Sequence, residues 1–551
     1  MEKKTYLILF VIVALAFALR IFNLSSNPPS LNWDEISHGY NAYSILKTGT
    51  DEWGQFPIFN FRAYGDYPTT LNLFLTIPFI AIFGLTEFAI RLPHVIFGTL
   101  TVISVFWLSY GLTKKKEIAI LSGLLIAIEP WTLFTSRIVL QSNLSVFLLT
   151  TSVAFFVNRE FNKQGLSLRG KKYLGYSLTL LFLTLFSYHT TRIFSPLILL
   201  VALFLNKKEL FKKKYLIYCS LFFILSLFIL LNPAARARAK YLSIFDQGAI
   251  NKIENLQNKY GRIYVNKITY TVYTLGSNYL EYFSPKFLFL KGGTQYQFSV
   301  PDIGLLYPVH MPFFYFGLYL LIKHAIKGEA NYLFTLAVLL LAPIPASITN
   351  EHFAVLRATT MIPAVQIIVA IGVLYVYERI SDKYKKYLVI LYAVILFMYL
   401  AGYLQILNTG YKEQFSQSWQ YGYKDVAEYI KENDDKYAKI VMTKKYGEPH
   451  EFLLFYMKYD PKSYKNDKNL NRFNQSNWWW VDGFSKYYFV NDWEVPKEGF
   501  KFVQESKKIV DCRQAKCLFV ASPNNAPKEW AKVKTINFLD GSPAFELYEN
   551  N

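Results

Sequence analysis

Long apolar blocks recur along this chain from Thr5 to about residue 407, and short Lys- and Arg-rich breaks separate them. A helix needs about 20 apolar residues to cross the hydrocarbon core of a bilayer. Many of the blocks reach that length or come close to it. A large soluble enzyme with buried helices is the alternative, but it would not repeat such blocks with only short basic breaks between them. The composition agrees, with 53% hydrophobic and only 18% charged residues. The chain is expected to be an α-helical polytopic membrane protein. Its net charge of +20 does not imply nucleic acid. The basic residues cluster between apolar blocks, as they do in cytoplasmic loops that meet anionic lipid.

Spans are expected at about 5–24, 88–112, 118–135, 142–158, 173–188, 193–206, 215–232, 305–323, 331–348, 359–378 and 387–407. The first has a basic start, "MEKK", and no small-x-small cleavage pattern after its apolar core, which reads as a retained signal anchor. The run "TLNLFLTIPFIAIFGL", Thr70 to Leu85, is short and broken by Pro78, and reads as an interfacial or re-entrant helix. Counting it as a span would put the Lys-rich loops from Lys114 to Lys214 outside. The positive-inside rule therefore favours about 11 spans, a cytoplasmic N-terminus and an outer C-terminus. The division is a transmembrane domain over 1–409 and an extracytoplasmic α/β domain over 410–551. In that tail "KDVAEYIKEND" has helical spacing, while "AKIVMT", "KCLFVAS" and "AFELYE" read as strands. Cys512 and Cys517 are five apart there, and a disulfide would suit an outer location.

Charged residues then concentrate at the outer ends of the spans. Asp34 and Glu35 form an acidic pair in "NWDEISHGY", just past the first span. Carboxylates at such a boundary can act as a general base or hold a divalent cation. They also favour a helix N-terminal turn by the dipole alone. Asp66 precedes a Pro-containing turn in "RAYGDYPTTLNLF". Arg91, in "EFAIRLPHV", and Arg137, in "TLFTSRIVLQ", lie at outer helix ends, where a cation can snorkel to lipid or bind phosphate. Glu129 is read as two turns before Arg137 on one helix, and as needing a partner within its apolar span. His189 and Arg192 occur in "SYHTTRIFSP", His352 and Arg357 in "NEHFAVLRAT". Each His is more commonly a structural hydrogen-bonding residue. Arg236, Arg238 and Lys240, in "NPAARARAKY", run against the usual charge bias and suggest an anionic lipid phosphate. Several Arg beside carboxylates suit a phosphate leaving group and a hydroxyl nucleophile.

"NWDEISHGYNAYSILKTG" followed by "GDYPTTLNLFLTIPFIAIFGLTEFAIRLPHVIFGTL" resembles the first outer loop and second span of GT-C glycosyltransferases. The closest likeness is to the protein O-mannosyltransferase and lipid A aminoarabinose transferase (PMT-like) group. The resemblance covers about residues 5–200 in motifs, and to about 407 in span plan. It implies a polyprenyl-phosphate sugar donor. It implies that Asp34 and Glu35 are the acidic pair for acceptor activation, that Asp66 is the acidic or polar position before the Pro-rich turn, that Arg91 lies near the donor phosphate, and that Arg137 is the Arg of the S-R motif after span three. The chain departs from the group at Gln141, where an Asp is common, and at "SYHTTR", which replaces a Lys/Gly-containing turn.

The expected reaction is inverting transfer of a sugar from a polyprenyl-phosphate donor to a hydroxyl on a protein, lipid or glycan acceptor at the outer face of the cell (plasma) membrane. Asp34 or Glu35 takes the acceptor proton. Arg91, Arg137 and one of Arg192, Arg236 or Arg357 offset the phosphate charge, and His189 and His352 belong to the same candidate set. No cofactor is required by this reading, apart from a possible divalent cation on Asp34 and Glu35. A glycan polymerase or ligase using lipid pyrophosphate would not require the acidic pair. A lipid-linked sugar flippase would show broken helices and repeat symmetry near the midplane, and neither is seen.

Overall fold

In a computed structural model of the protein the described residues are 2–162, 165–205, 210–232, 247–476 and 478–550. Arg236, Arg238, Lys240 and the basic positions 207 and 208 lie outside them. Six helices among the described residues are long and apolar enough to cross a membrane. They are Lys3–Ile21, Glu87–Thr113, Lys213–Leu231, Pro308–Ile326, Ala330–Ser347 and Asp382–Gln414. Several turn apolar side chains outward: Phe10, Leu221, Phe397 and Met398 are all exposed. Such a surface suits lipid, not water. All six coincide with expected spans. The other five expected positions carry shorter helices: Lys116–Ile128, Gln141–Val157, Leu168–Thr184, Thr191–Leu205 and Ala364–Arg379.

We label α1 (Lys3–Ile21), α2 (Trp33–Thr48), α3 (Thr70–Phe83), α4 (Glu87–Thr113), α5 (Lys116–Ile128) and α6 (Pro130–Thr135). The expected helix joining Glu129 to Arg137 does not form. Glu129 is extended, with φ −66° and ψ 142°, between α5 and α6. Pro130 follows it, and a residue before proline is pushed out of the α region. Arg137 therefore lies beyond the end of α6 rather than on the helix that leads into Glu129. The apolar run at Thr70 is the 14-residue α3, with Pro78 inside it.

The chain forms two compact units. One comprises Met1–Phe22 and His94–Leu404; the other comprises Asn23–Pro93 and Gln405–Asn551. Among its described residues the first unit is helical, apart from the short antiparallel pairing of Phe161–Asn162 with Gly165–Leu166. The second is built on a seven-stranded sheet. Its strands in chain order are β1 (Lys439–Thr443), β2 (Asn471–Gln475), β3 (Trp478–Phe484), β4 (Tyr487–Val490), β5 (Cys517–Ala521), β6 (Trp530–Asn537) and β7 (Pro543–Asn550). Their spatial order is β6-β7-β5-β1-β4-β3-β2. β1 pairs in parallel with β4 and β5, and the outer pairings are antiparallel. β1 and β5 are buried apolar runs, as central strands require. Cys512 and Cys517 form a disulfide beside β5, with Cα atoms 5.9 Å apart.

Within this unit the first loop and the tail pack as one body. The Trp33 N–H donates to Gln420 Oε1 (2.9 Å), and the Tyr40 hydroxyl donates to the Tyr459 carbonyl (3.1 Å). The Lys465 ammonium donates to the hydroxyls of Thr48 (2.6 Å) and Thr50 (2.7 Å). The Trp479 N–H donates to the Tyr64 carbonyl (2.6 Å). α3 is held to α2 by a bond of 2.9 Å between His38 Nε2 and the Thr76 hydroxyl. Burial lowers the His38 pKa to about 3, so its ring is neutral.

Candidate active site

The acidic pair lies in the first turn of α2, and the two carboxylates have different surroundings. Asn32 caps the helix: its Oδ1 accepts from the Glu35 N–H (2.9 Å), while Glu35 Oε2 accepts from the Asn32 N–H (3.4 Å). This reciprocal capping box satisfies two donors that a helix start leaves open. Glu35 is fully buried and also forms a two-point ion pair with Arg91, Nε to Oε1 at 2.9 Å and NH2 to Oε2 at 2.8 Å. Asp34 is one residue earlier and exposed. Its Oδ1 accepts from the Tyr64 hydroxyl at 2.5 Å. Burial, then the charge of Asp34, pushes the Tyr64 pKa well up, so the phenol remains a donor. The Tyr64 ring stacks on Trp478 with centroids 5.1 Å apart.

Arg91 has a different environment from the one expected of a phosphate ligand. It is fully buried, and besides Glu35 it donates to the carbonyls of Leu24 (3.0 Å), Pro28 (3.1 Å) and Ser30 (2.6 Å). A guanidinium has five N–H donors. All five are engaged here by this loop, which α4 thereby holds against its own second turn. Both oxygens of Glu35 are likewise engaged by Arg91, so the acidic pair does not offer two carboxylates to one cation. Asp66 is half-buried and shapes the turn before α3. Its Oδ1 accepts from the Tyr67 N–H (2.8 Å), and its carbonyl accepts from the Ala63 N–H (3.1 Å).

In the helical unit Arg137 is buried and donates to the carbonyls of Leu19 (2.8 Å), Arg20 (3.1 Å) and Phe22 (2.7 Å). These are the last carbonyls of α1, which have no partners within the helix. Arg20 makes the same bond at another helix end: it donates to Ile126 (2.8 Å) and Ala127 (2.9 Å), at the end of α5. A cation at a helix C-terminus also meets the negative end of the macrodipole. Glu129 has the partner its burial demands: His310 Nδ1 lies 2.5 Å away, and the Tyr307 N–H donates at 2.9 Å. Arg192 donates to the Leu185 carbonyl (3.0 Å) and to His189 Nδ1 (3.1 Å), so this expected pair is together. His352 is exposed and pairs with Glu281 at 3.0 Å, whereas Arg357 pairs with Glu351. Those two expected residues therefore have separate partners.

Sequence reasoning missed Tyr64, although it lies two residues before Asp66 in a quoted stretch. It also missed a buried group made of Glu52, His450 and Glu451, whose ligand-type atoms lie within 4.8 Å of one another. Burial raises the pKa of Glu451 and Glu52, and raises that of nearby Glu448 to about 7. Burial lowers that of His450. No local motif joins Glu52 to a helix almost 400 residues later; only the fold does.

Helices long and apolar enough to cross a membrane, with an exposed Asp in the loop after the first of them, are the setting of this site, and the fold is similar to that of GT-C glycosyltransferases. Residues 10–235 match the family model of dolichyl-phosphate-mannose-protein mannosyltransferase, so the chain resembles the PMT-like branch. ArnT from Cupriavidus metallidurans bound to undecaprenyl phosphate shares the fold, with a TM-score of 0.55 at 11% identity over 100% of this chain and 99% of that one. The Archaeoglobus fulgidus oligosaccharyltransferase in complex with Zn and sulfate matches with a TM-score of 0.50 at 15% identity, over 81% of this chain and 61% of that one. The chain thus spans less than two thirds of the length of the Archaeoglobus fulgidus chains it matches. No curated protein matches the chain.

Proposed function

We propose that this protein transfers a sugar from a polyprenyl-phosphate-linked donor to a hydroxyl acceptor at the outer face of the membrane, with inversion at C1. The observation that carries this reading is the exposed Asp34 carboxylate, held by Tyr64 beside a Glu35 locked in an ion pair. Asp34 takes the proton of the acceptor hydroxyl as the acceptor oxygen attacks C1. The C1–O bond to phosphate breaks, and its electron pair leaves with the phosphate. General-base assistance of this kind is worth about 10²–10⁴ in rate. Glu35 and Arg91 are positioning residues, which fix the α2 start and hence the direction of Asp34. A preorganised cation offsets the charge on the departing phosphate, where such charge is worth most. An outer location for Asp34 is supported by the Lys- and Arg-rich loops, which fall at every second loop and so on one side of the spans. The disulfide in the tail suits the same side.

The test is transfer from radiolabelled polyprenyl-phosphate hexoses by purified protein, with a panel of protein, lipid and glycan acceptors. Asp34→Asn is expected to lose about a thousandfold in turnover while keeping its thermal transition. Undiminished transfer by a folded Asp34→Asn variant overturns the mechanism.

A further inference from the structure

The buried group behind the candidate base has the composition of a metal site rather than of a salt bridge. Glu52, His450 and Glu451 are each at least 96% buried. Glu52 follows α2, whereas His450 and Glu451 lie on the helix Pro449–Tyr456, which packs against α2. His450 Nε2 faces Glu451 Oε1 at 3.8 Å, and on its other side His450 Nδ1 faces Glu448 Oε2 at 3.5 Å. Among the described residues, neither His450 Nδ1 nor Glu451 Oε2 has a hydrogen-bond partner. Unsatisfied buried polar atoms are costly and call for an explanation.

The charge count points the same way. Two buried carboxylates, Glu52 and Glu451, share one guanidinium, Arg472, whose NH2 lies 3.8 Å from Glu52 Oε2, and the cation nearest in effect to Glu448 is Lys444. The nearby cation Lys444 is already paired with Asp482 and Glu505. Arg472 is fixed by other contacts: it donates to the Glu52 carbonyl (3.1 Å) and stacks over Trp53 at 4.1 Å. Left without a cation, these carboxyls hold protons more tightly, as their raised pKa values show, and a bound cation would keep them ionised.

We propose that Glu52, His450 and Glu451 bind a divalent transition-metal cation, with Zn²⁺ the best fit. One imidazole and carboxylate oxygens are ligands zinc takes at about 2.0–2.2 Å, and the imidazole disfavours calcium and magnesium, which prefer all-oxygen shells. At those bond lengths tetrahedral ligand atoms lie about 3.3–3.6 Å apart, so a group whose atoms lie within 4.8 Å of one another closes by roughly 1 Å around the ion. The surroundings are those a zinc site uses. With Nε2 on the metal, His450 Nδ1–H is directed at Glu448, and Glu448 Oε1 already accepts from Trp478 Nε1 at 2.8 Å. Asn41 Nδ2 donates to Glu52 Oε1 at 3.0 Å. Partners of this kind set the tautomer and orientation of the ligands. The ion has a structural role: it ties the end of α2 to the tail. It acts on the candidate base only indirectly, because Trp478 stacks on Tyr64, which holds Asp34. The proposal stands apart from the glycosyltransferase reading, since metal retention is measured without any sugar.

The test uses full-length protein in detergent, stripped with EDTA, reloaded with Zn²⁺ alone and passed through gel filtration. One zinc per chain is expected by mass spectrometry, with a higher thermal transition than the stripped protein. His450→Gln and Glu451→Gln are each expected to lower zinc affinity at least about tenfold, while Asp34→Asn keeps one zinc. Should those variants fail to fold, zinc K-edge absorption on the wild type decides. An imidazole with oxygen neighbours supports the site; sulfur or an all-oxygen shell overturns it. Failure of the wild type to retain zinc, or retention unchanged in both folded variants, also overturns it.

Discussion

Asp34 and Glu35 are adjacent and chemically alike, yet their environments assign them opposite work. Glu35 is buried against Arg91, and replacing it with Gln leaves a buried guanidinium without its counter-charge. Breaking a buried pair from one side costs about 3–5 kcal/mol. Glu35→Gln is therefore expected to lower the thermal transition sharply and to lose activity in step with folded protein. Asp34→Asn is expected to do the reverse, keeping the transition and losing turnover. Measuring both quantities on both variants separates the roles; equal loss of stability in the two would refute the assignment. The sequence showed the dipeptide and both of its ordinary meanings, helix start and chemistry. It did not show which residue took which, because that depends on Arg91, 56 positions away. The N-x-x-E spacing of Asn32 and Glu35 was the available clue, since it is the signature of a capping box.

At the scale of elements, helix ends explain the arginines that the sequence placed at span boundaries. Arg137 closes the end of α1 and Arg20 closes the end of α5, each by donating to carbonyls that a helix end leaves without backbone partners. Hydrogen bonds from a charged donor are worth about 1.5–3 kcal/mol each. Arg137→Ala is expected to lower the thermal transition in detergent by several degrees. Arg137→Lys should recover only part of this, because one ammonium cannot span the carbonyls of Leu19, Arg20 and Phe22 as a planar guanidinium does. Full recovery by Lys would point to bare charge rather than to capping. The positions of the helices were legible from apolar length, as was the short α3 from Pro78. The break at Glu129 was legible too, since Pro130 was in plain view; reading through it put Glu129 and Arg137 on one helix. Strands β1 and β5 could be read because they carry apolar runs, and β7 because aromatic and apolar residues recur along it. β2 reads poorly because its residues, NRFNQ, are mostly polar and lie at the sheet edge.

The whole molecule divides by packing rather than by chain order. Composition and charge bias pointed to a tail that begins near residue 410, and the sheet does begin after it. Nothing local joined that tail to the loop at Asn23–Pro93, because the joining groups are single residues scattered over both. Removing residues 410–551 should therefore disable more than an appended domain. It would uncover the face of α2 that carries Tyr40, and it would take away Gln420, Tyr459, Lys465 and Trp479, which bond to Trp33, Tyr40, Thr48, Thr50 and Tyr64. Tyr64 would lose the Trp478 ring on which it stacks, and Asp34 would lose a fixed hydrogen-bond partner. Chain 1–409 is expected to insert in the membrane, since its apolar helices are intact. Its first loop, over about residues 49–69, should become protease-sensitive, and transfer should fall below detection. A truncated chain that resists protease in this loop and transfers sugar at the full rate would show that the loop is organised without the tail.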